Sequence, residues 1–156
     1  MLNVFKEITM GYYTEKSKEL FLQGYNCAQA IAGGFCEGVG LDFETAIKTS
    51  SSFGGGMGGM REVCGALSGA FLILGAKYGY TDSADATAKS NHYKLISETA
   101  EKFKEKWGTI LCRDLMKKLT EEKQVILGDK PEEYKARPCL VIVEDVAKIL
   151  EDILGK

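Results

Sequence analysis

The sequence predicts an all-α protein, a helical bundle of about six to seven helices around one central apolar helix. Three observations carry this. The 156 residues include only two prolines, alternating β-branched runs are few, and several segments repeat apolar residues at spacings of three and four. With 45% hydrophobic and 27% charged residues, the composition is that of an ordinary globular chain. A chain of this length buries roughly 68–70% of its unfolded surface, so one domain over residues 1–156 needs no disulfide or metal to fold.

The elements follow in order. A first helix is expected from Asn3 to Gln23, with Gly24 as a left-handed C-cap. Asn26 then caps a second helix through Cys27, Ala28, Gln29, Ala30 and Ile31 toward Cys36. Asp42 caps a third, whose Phe43, Ala46, Ile47 and Ser50 share one face. Five glycines in six positions, Gly54 to Gly59 around Met57, exclude a helix interior at a cost of about 1 kcal/mol each. A fourth helix, Glu62 to Tyr78, is apolar nearly all round over Val63 to Ala76, which marks it as the central element.

Ser83 or Asp82 starts a long fifth helix with Ala88, His92, Leu95, Ile96, Thr99, Phe103 and Trp107 inward. A sixth runs from Thr109 to Leu119. The polar stretch Thr120 to Arg137 is expected to be irregular, with an extended piece at Gln124 to Leu127. Pro138 opens the last helix, whose inner stripe is Cys139, Ile142, Val143, Val146, Ile149, Leu150 and Ile153.

Twenty Lys plus Arg against 22 Asp plus Glu give a net charge of −2, and no basic stretch lacks interleaved acids, so no nucleic-acid footprint is visible. Met1 to Glu7 has no basic segment followed by an apolar run, which predicts a cytoplasmic protein rather than a secreted one. The apolar stretch Val63 to Ala76 falls short of the ~20 residues of a membrane span. A homodimer is expected only on the general frequency of such assemblies.

Five cysteines, Cys27, Cys36, Cys64, Cys112 and Cys139, in such a chain point to metal binding or redox chemistry rather than a disulfide framework. A helix N-terminus lowers a thiol's pKa through its free N–H groups and dipole. Cys27, Cys64, Cys112 and Cys139 all fall in expected first turns, and Arg61, Arg113 and Arg137 stand within three residues of the last three. Packing is the competing role of any single cysteine. Cys36, nine residues after Cys27, points to the other side of a continuous helix. In the glycine loop, Gly54, Gly55, Gly56 and Gly58 are candidate cofactor-facing residues, either as an anion-binding nest or as sites of close packing. Gly65 and Gly69 permit another helix, or a bound group, to approach the central helix closely, which adds Gly65 to the candidate cofactor-facing residues. No Gly-Lys-Ser/Thr follows, which excludes a P-loop. His92, the single histidine, reads as a core residue rather than a ligand. Met57 and Met60 flank the loop glycines as candidate pocket residues.

Gly24-Tyr25-Asn26-Cys27-Ala28-Gln29-Ala30, Phe53-Gly54-Gly55-Gly56-Met57-Gly58 and Cys64-Gly65-Ala66-Leu67-Ser68-Gly69, followed by single cysteines at 112 and 139, resemble the redox-active family named for its C_GCAxxG_C_C signature. That resemblance covers nearly the whole chain. It implies redox activity and assigns the four signature cysteines to Cys27, Cys64, Cys112 and Cys139, with Cys36 outside the pattern. A more distant similarity to an iron–sulfur-bearing segment of split-Soret cytochromes implies a cluster, while the lack of C-x-x-C-H excludes c-type haem attachment.

Three functions remain open on the residues. Four thiolates are a standard ligand set for an iron–sulfur cluster or another soft metal, here separated by 37, 48 and 27 residues and so drawn from facing helices. Metal-free thiol–disulfide chemistry uses the same cysteines. A non-catalytic module would bind a small anion at the glycine loop. With the usual acid–base residues missing, electron transfer to an unknown redox partner is favoured over bond-making catalysis, whether the chain is an oxidoreductase or a carrier.

Overall fold

The computed structural model describes residues 11–155. Among them the chain forms nine α-helices and no strand: α1 Tyr12–Leu22, α2 Cys27–Phe35, α3 Phe43–Ser50, α4 Gly65–Tyr78, α5 Ala86–Trp107, α6 Cys112–Glu121, α7 Lys123–Leu127, α8 Glu132–Ala136 and α9 Leu140–Leu154. Two 3₁₀ turns, Cys36–Val39 and Ser51–Phe53, follow α2 and α3. The all-α expectation holds. The two extra helices are α7 and α8, in the stretch expected to be irregular. Gln124 to Leu127 is helical rather than extended, because one turn suffices to bury Leu127 while Val125 stays 86% exposed.

Five helices make the centre, with α4 packed on α2, α5 and α9, and α1 on α2 and α9. Small residues set how closely they approach. A Cβ on Gly69 would stand 2.7 Å from the Ala28 carbonyl oxygen, and one on Gly34 would collide with Ser17. Gly33 and Gly34 therefore lie inside α2 instead of breaking it. Around this crossing Ala28, Ala30, Ile31, Phe35, Ala66, Leu67, Ala70 and Leu150 are fully buried.

The helix ends show what the sequence encodes locally. Gly24, at φ 109°, closes α1 with the paired bonds Gly24 N–H to Phe21 O and Tyr25 N–H to Leu20 O, the Schellman arrangement. Asn26 and Gln29 form a reciprocal capping box on α2. The expected start of α1 at Asn3 lies outside the described residues, and the described helix begins only after Gly11, which adopts φ 95°. There the buried carboxylate of Glu151 in α9 accepts the N–H groups of Gly11 at 2.9 Å and Thr14 at 2.8 Å.

Two expectations need correction. The central helix starts at Gly65, not Glu62, and α6 starts at Cys112, not Thr109. Just ahead of the two helices Val63 instead bridges Leu111 in an antiparallel pair. Cys64 N–H donates to Ile110 O at 2.8 Å, and Cys112 N–H to Glu62 O at 2.6 Å. In α5 only Thr99, Phe103 and Trp107 are buried. Ala88, His92, Leu95 and Ile96 are half-buried, because the helix runs past the core it packs on. His92 is thus no core residue; its Nδ1 has no hydrogen-bond partner among the described residues. No described helix is long and apolar enough to cross a membrane.

Candidate functional site

Four segments bring one cysteine each to the same end of the bundle. Cys27 is the first residue of α2, Cys64 precedes α4, Cys112 opens α6, and Cys139 follows Pro138 immediately before α9. Pro138 therefore stands outside the last helix rather than in its first turn. The bridge between residues 61–64 and 110–113 ties the second and third of these segments together, while the capping box fixes the first.

Glycines let the walls close. A Cβ on Gly65 would meet the Cys27 Sγ at 2.5 Å and the Phe53 carbonyl at 2.7 Å, and one on Gly56 would meet the Cys112 Cβ at 2.6 Å. Gly54 lies against the Asn26 side chain. The loop itself is a left-handed turn: Gly55, Gly56, Met57, Gly58 and Gly59 all have φ between 60° and 82°, a conformation that costs side-chain-bearing residues roughly 1–2 kcal/mol each. Its amides serve mainly its own backbone, with Met57, Gly59, Met60, Arg61 and Glu62 donating to carbonyls of residues 53–57. The Gly55 amide instead faces the Cys27 sulfur. Gly58 is exposed and has only the Ser52 carbonyl near it, at 3.6 Å from an added Cβ. Met60 is 67% exposed. The loop therefore contributes a wall of Gly54, Gly55 and Gly56 rather than an open nest.

The thiols lie close enough to feel one another's charge, Cys27 with Cys64, Cys112 and Cys139, and Cys139 with Cys112 as well. Burial pushes the Cys27 and Cys64 thiols up from their ordinary value, Cys64 the more strongly because it is wholly enclosed. Cys139 is pushed up to about 11, first by burial and then by Cys27 and Cys112, against the opposing pull of Arg61 and Arg137. This corrects the expectation of lowered thiol pKa values. The amides at the helix starts do favour the thiolates, but loss of water outweighs them.

The three arginines divide. Arg61 Nη1 stands 3.5 Å from Cys112 Sγ. Arg113 pairs with Glu62 at 2.7 Å, and Arg137 covers the Phe21 ring at 3.8 Å while donating to the Phe21 carbonyl. Met116, which the sequence reading passed over, places its Sδ 3.5 Å from Cys139 Sγ. Cys36 lies elsewhere, with its thiol 3.2 Å from the Gly33 carbonyl in a small apolar cluster with Ala32 and Ala46.

Among the described residues, no three His, Cys, Asp or Glu side chains stand close enough to share one metal ion. A cluster makes a different demand, because each thiolate can bind a separate iron. Four thiols behind a glycine wall fit that donor set.

The family described as "Putative redox-active protein (C_GCAxxG_C_C)" matches residues 25–153. The chain belongs to this family. Its matched region takes in all four segments of the cysteine site and the glycine loop. No curated protein and no solved structure matches the chain.

Proposed function

We propose that this member of the C_GCAxxG_C_C family is a single-domain electron carrier of a reducing, cytoplasmic compartment whose Cys27, Cys64, Cys112 and Cys139 hold an iron–sulfur cluster. The observation that carries this reading is the convergence of four of the five cysteines from four separate segments, while the fifth is left in an apolar cluster of its own. When bound, such a cluster takes up and releases single electrons. The chain's own residues do the rest. Gly54, Gly55, Gly56 and Gly65 bring backbone and sulfur close together, and the Gly55 amide and Arg61 guanidinium point donors at sulfur, which favours negative charge there. Burial raises Cys27, Cys64 and Cys139 as free thiols, and all four cysteines would serve a soft metal as thiolates.

The test is the visible absorption spectrum of protein purified without oxygen, with iron and acid-labile sulfide counted per chain. A coloured protein is expected. Serine at position 27, 64, 112 or 139 should abolish the colour, and Cys36→Ser should keep it. A colourless protein free of iron and sulfide overturns the reading.

A second reading, metal-free dithiol–disulfide exchange, is favoured by the Arg61 contact to Cys112, since a neighbouring cation activates a thiol. Two thiols would then close to a disulfide, giving two electrons and two protons to a disulfide acceptor. Against it, burial raises three of the four thiols.

A further inference from the structure

Left-handed backbone in the loop is supplied by glycine at four positions, Gly55, Gly56, Gly58 and Gly59, and by side-chain-bearing residues at only two, Met57 at φ 67° and Arg61 at φ 61°. A side chain kept where glycine would cost less points to a use for that side chain. For Arg61 the use is visible. Its backbone is held on both sides, the N–H donating to Gly55 O at 3.1 Å and the carbonyl accepting from Arg113 N–H at 3.2 Å. Its side chain leans back over the site, with Nη1 3.5 Å from Cys112 Sγ.

The guanidinium also acts electrostatically on Cys139 and Cys27. Arg113 is neutralised by Glu62, whereas among the described residues no carboxylate pairs with Arg61. Arg137 acts on Cys139 from its place over the Phe21 ring, and Arg61 is the unneutralised cation in direct contact with a site thiol.

We infer that Arg61 is a positioning residue of the four-thiol site, a fixed positive charge, held there by its left-handed backbone, that favours the more reduced and more negative state. The inference rests on the cluster reading for its one-electron form. One electron from a reductant such as dithionite adds a negative charge to the site, no proton is required, and a cation at this distance stabilises that charge. Arg61 is exposed at the rim, so salt screens the effect.

The experiment is a dithionite titration of the midpoint potential in the loaded wild-type protein and in Arg61→Gln, Arg61→Lys and Arg61→Gly, at low and high salt, with iron, sulfide and thermal midpoint recorded alongside. Potentials are compared at equal iron and sulfide per chain. In the Gln and Gly variants the reduced-to-oxidised ratio at fixed potential should fall about tenfold, a shift of about 59 mV for one electron. Lysine should restore most of it, and 1 M salt should shrink it. Arg61→Gly removes the charge while relieving the backbone, so it should raise the thermal midpoint by roughly 2–4 °C. A low-salt midpoint unchanged in both the Gln and Gly variants overturns the inference while leaving the cluster reading intact. Loss of loading in all three variants with the fold retained also overturns it, because Arg61 would then be needed to build the site. A wild-type protein without iron or sulfide fails the cluster reading instead. The same variants are then equilibrated in glutathione buffers, where a tenfold effect is about 30 mV for two electrons and an unchanged potential overturns the inference.

Discussion

Helix α2 meets a cysteine at each end, and the two thiols share little beyond shelter from water. At the N-terminal end Cys27 faces the Gly55 amide and three further cysteines delivered by α4, α6 and α9. At the other end Cys36 hydrogen-bonds the carbonyl of Gly33 one turn back and packs on alanines. The residue type is the same, so the difference comes from what the rest of the chain brings to each end. A cysteine within an element is a packing residue by default, and convergence of distant segments is what makes four of them a site.

The contrast breaks most readily at its glycines. Gly65→Ala should destabilise the fold by about 1–3 kcal/mol, the usual penalty of overpacking, because the new methyl meets Cys27 Sγ and the Phe53 carbonyl. Loss of bound iron and a lower urea midpoint would show it. Gly75→Ala, two to three turns along the same helix with nothing within 4 Å of the added carbon, should instead stabilise by about 0.5–1 kcal/mol. Equal effects at the two positions would remove the distinction between the site end and the remainder of α4.

A smaller effect should appear in alkaline solution in the reduced, metal-free protein. Cys139 keeps its proton in the fold to about pH 11, whereas in the unfolded chain it ionises around its ordinary value of 9.0. Above pH 9 the unfolded state therefore loses protons first. Stability that is full below pH 9 declines as the pH rises through 11, by about 2 kcal/mol for this thiol. Thermal unfolding followed from pH 8 to 11 should show the fall, and Cys139→Ser should flatten part of it.

The smallest change is expected at the far end of α2. Cys36→Ala removes one sulfur from an apolar cluster and should cost about 1 kcal/mol, measured by urea unfolding. Iron content and midpoint potential should stay as in the wild type.

Much of this was legible before any coordinates. The caps Asn26, Asp42 and Gly24, the apolar α4 and the left-handed loop follow from local rules that act within a few residues. The candidate cysteines stood out because four of them fall at expected helix starts and match the family's signature. What could not be read was non-local. Glu62 and Thr109 looked like helix starts, and only the pairing of Val63 with Leu111 holds both helices back to Gly65 and Cys112. The β-branched Thr109-Ile110 and Val63 were the available hint. The Glu151 carboxylate, on which the sequence reading is silent, caps the start of α1 from α9, 137 to 140 residues along the chain. Thiol acidity reversed for a similar reason, since burial of Cys64 and Cys139 depends on every surrounding helix, whereas the favourable amides belong to their own turn.

The bridge between Val63 and Leu111 also bears on how the protein comes into being. It joins two segments separated by α4 and α5, so the entropy of closing that long loop must be met before the pairing contributes anything. Contacts of this kind form late relative to local helix turns. During synthesis Cys27 and Cys64 emerge well ahead of Cys112, and Cys139 follows last of the four. The four sulfurs therefore become neighbours only after all four segments have been made and the long loop has closed, and any species that reacts with the assembled set must act after that pairing rather than on the separate helices.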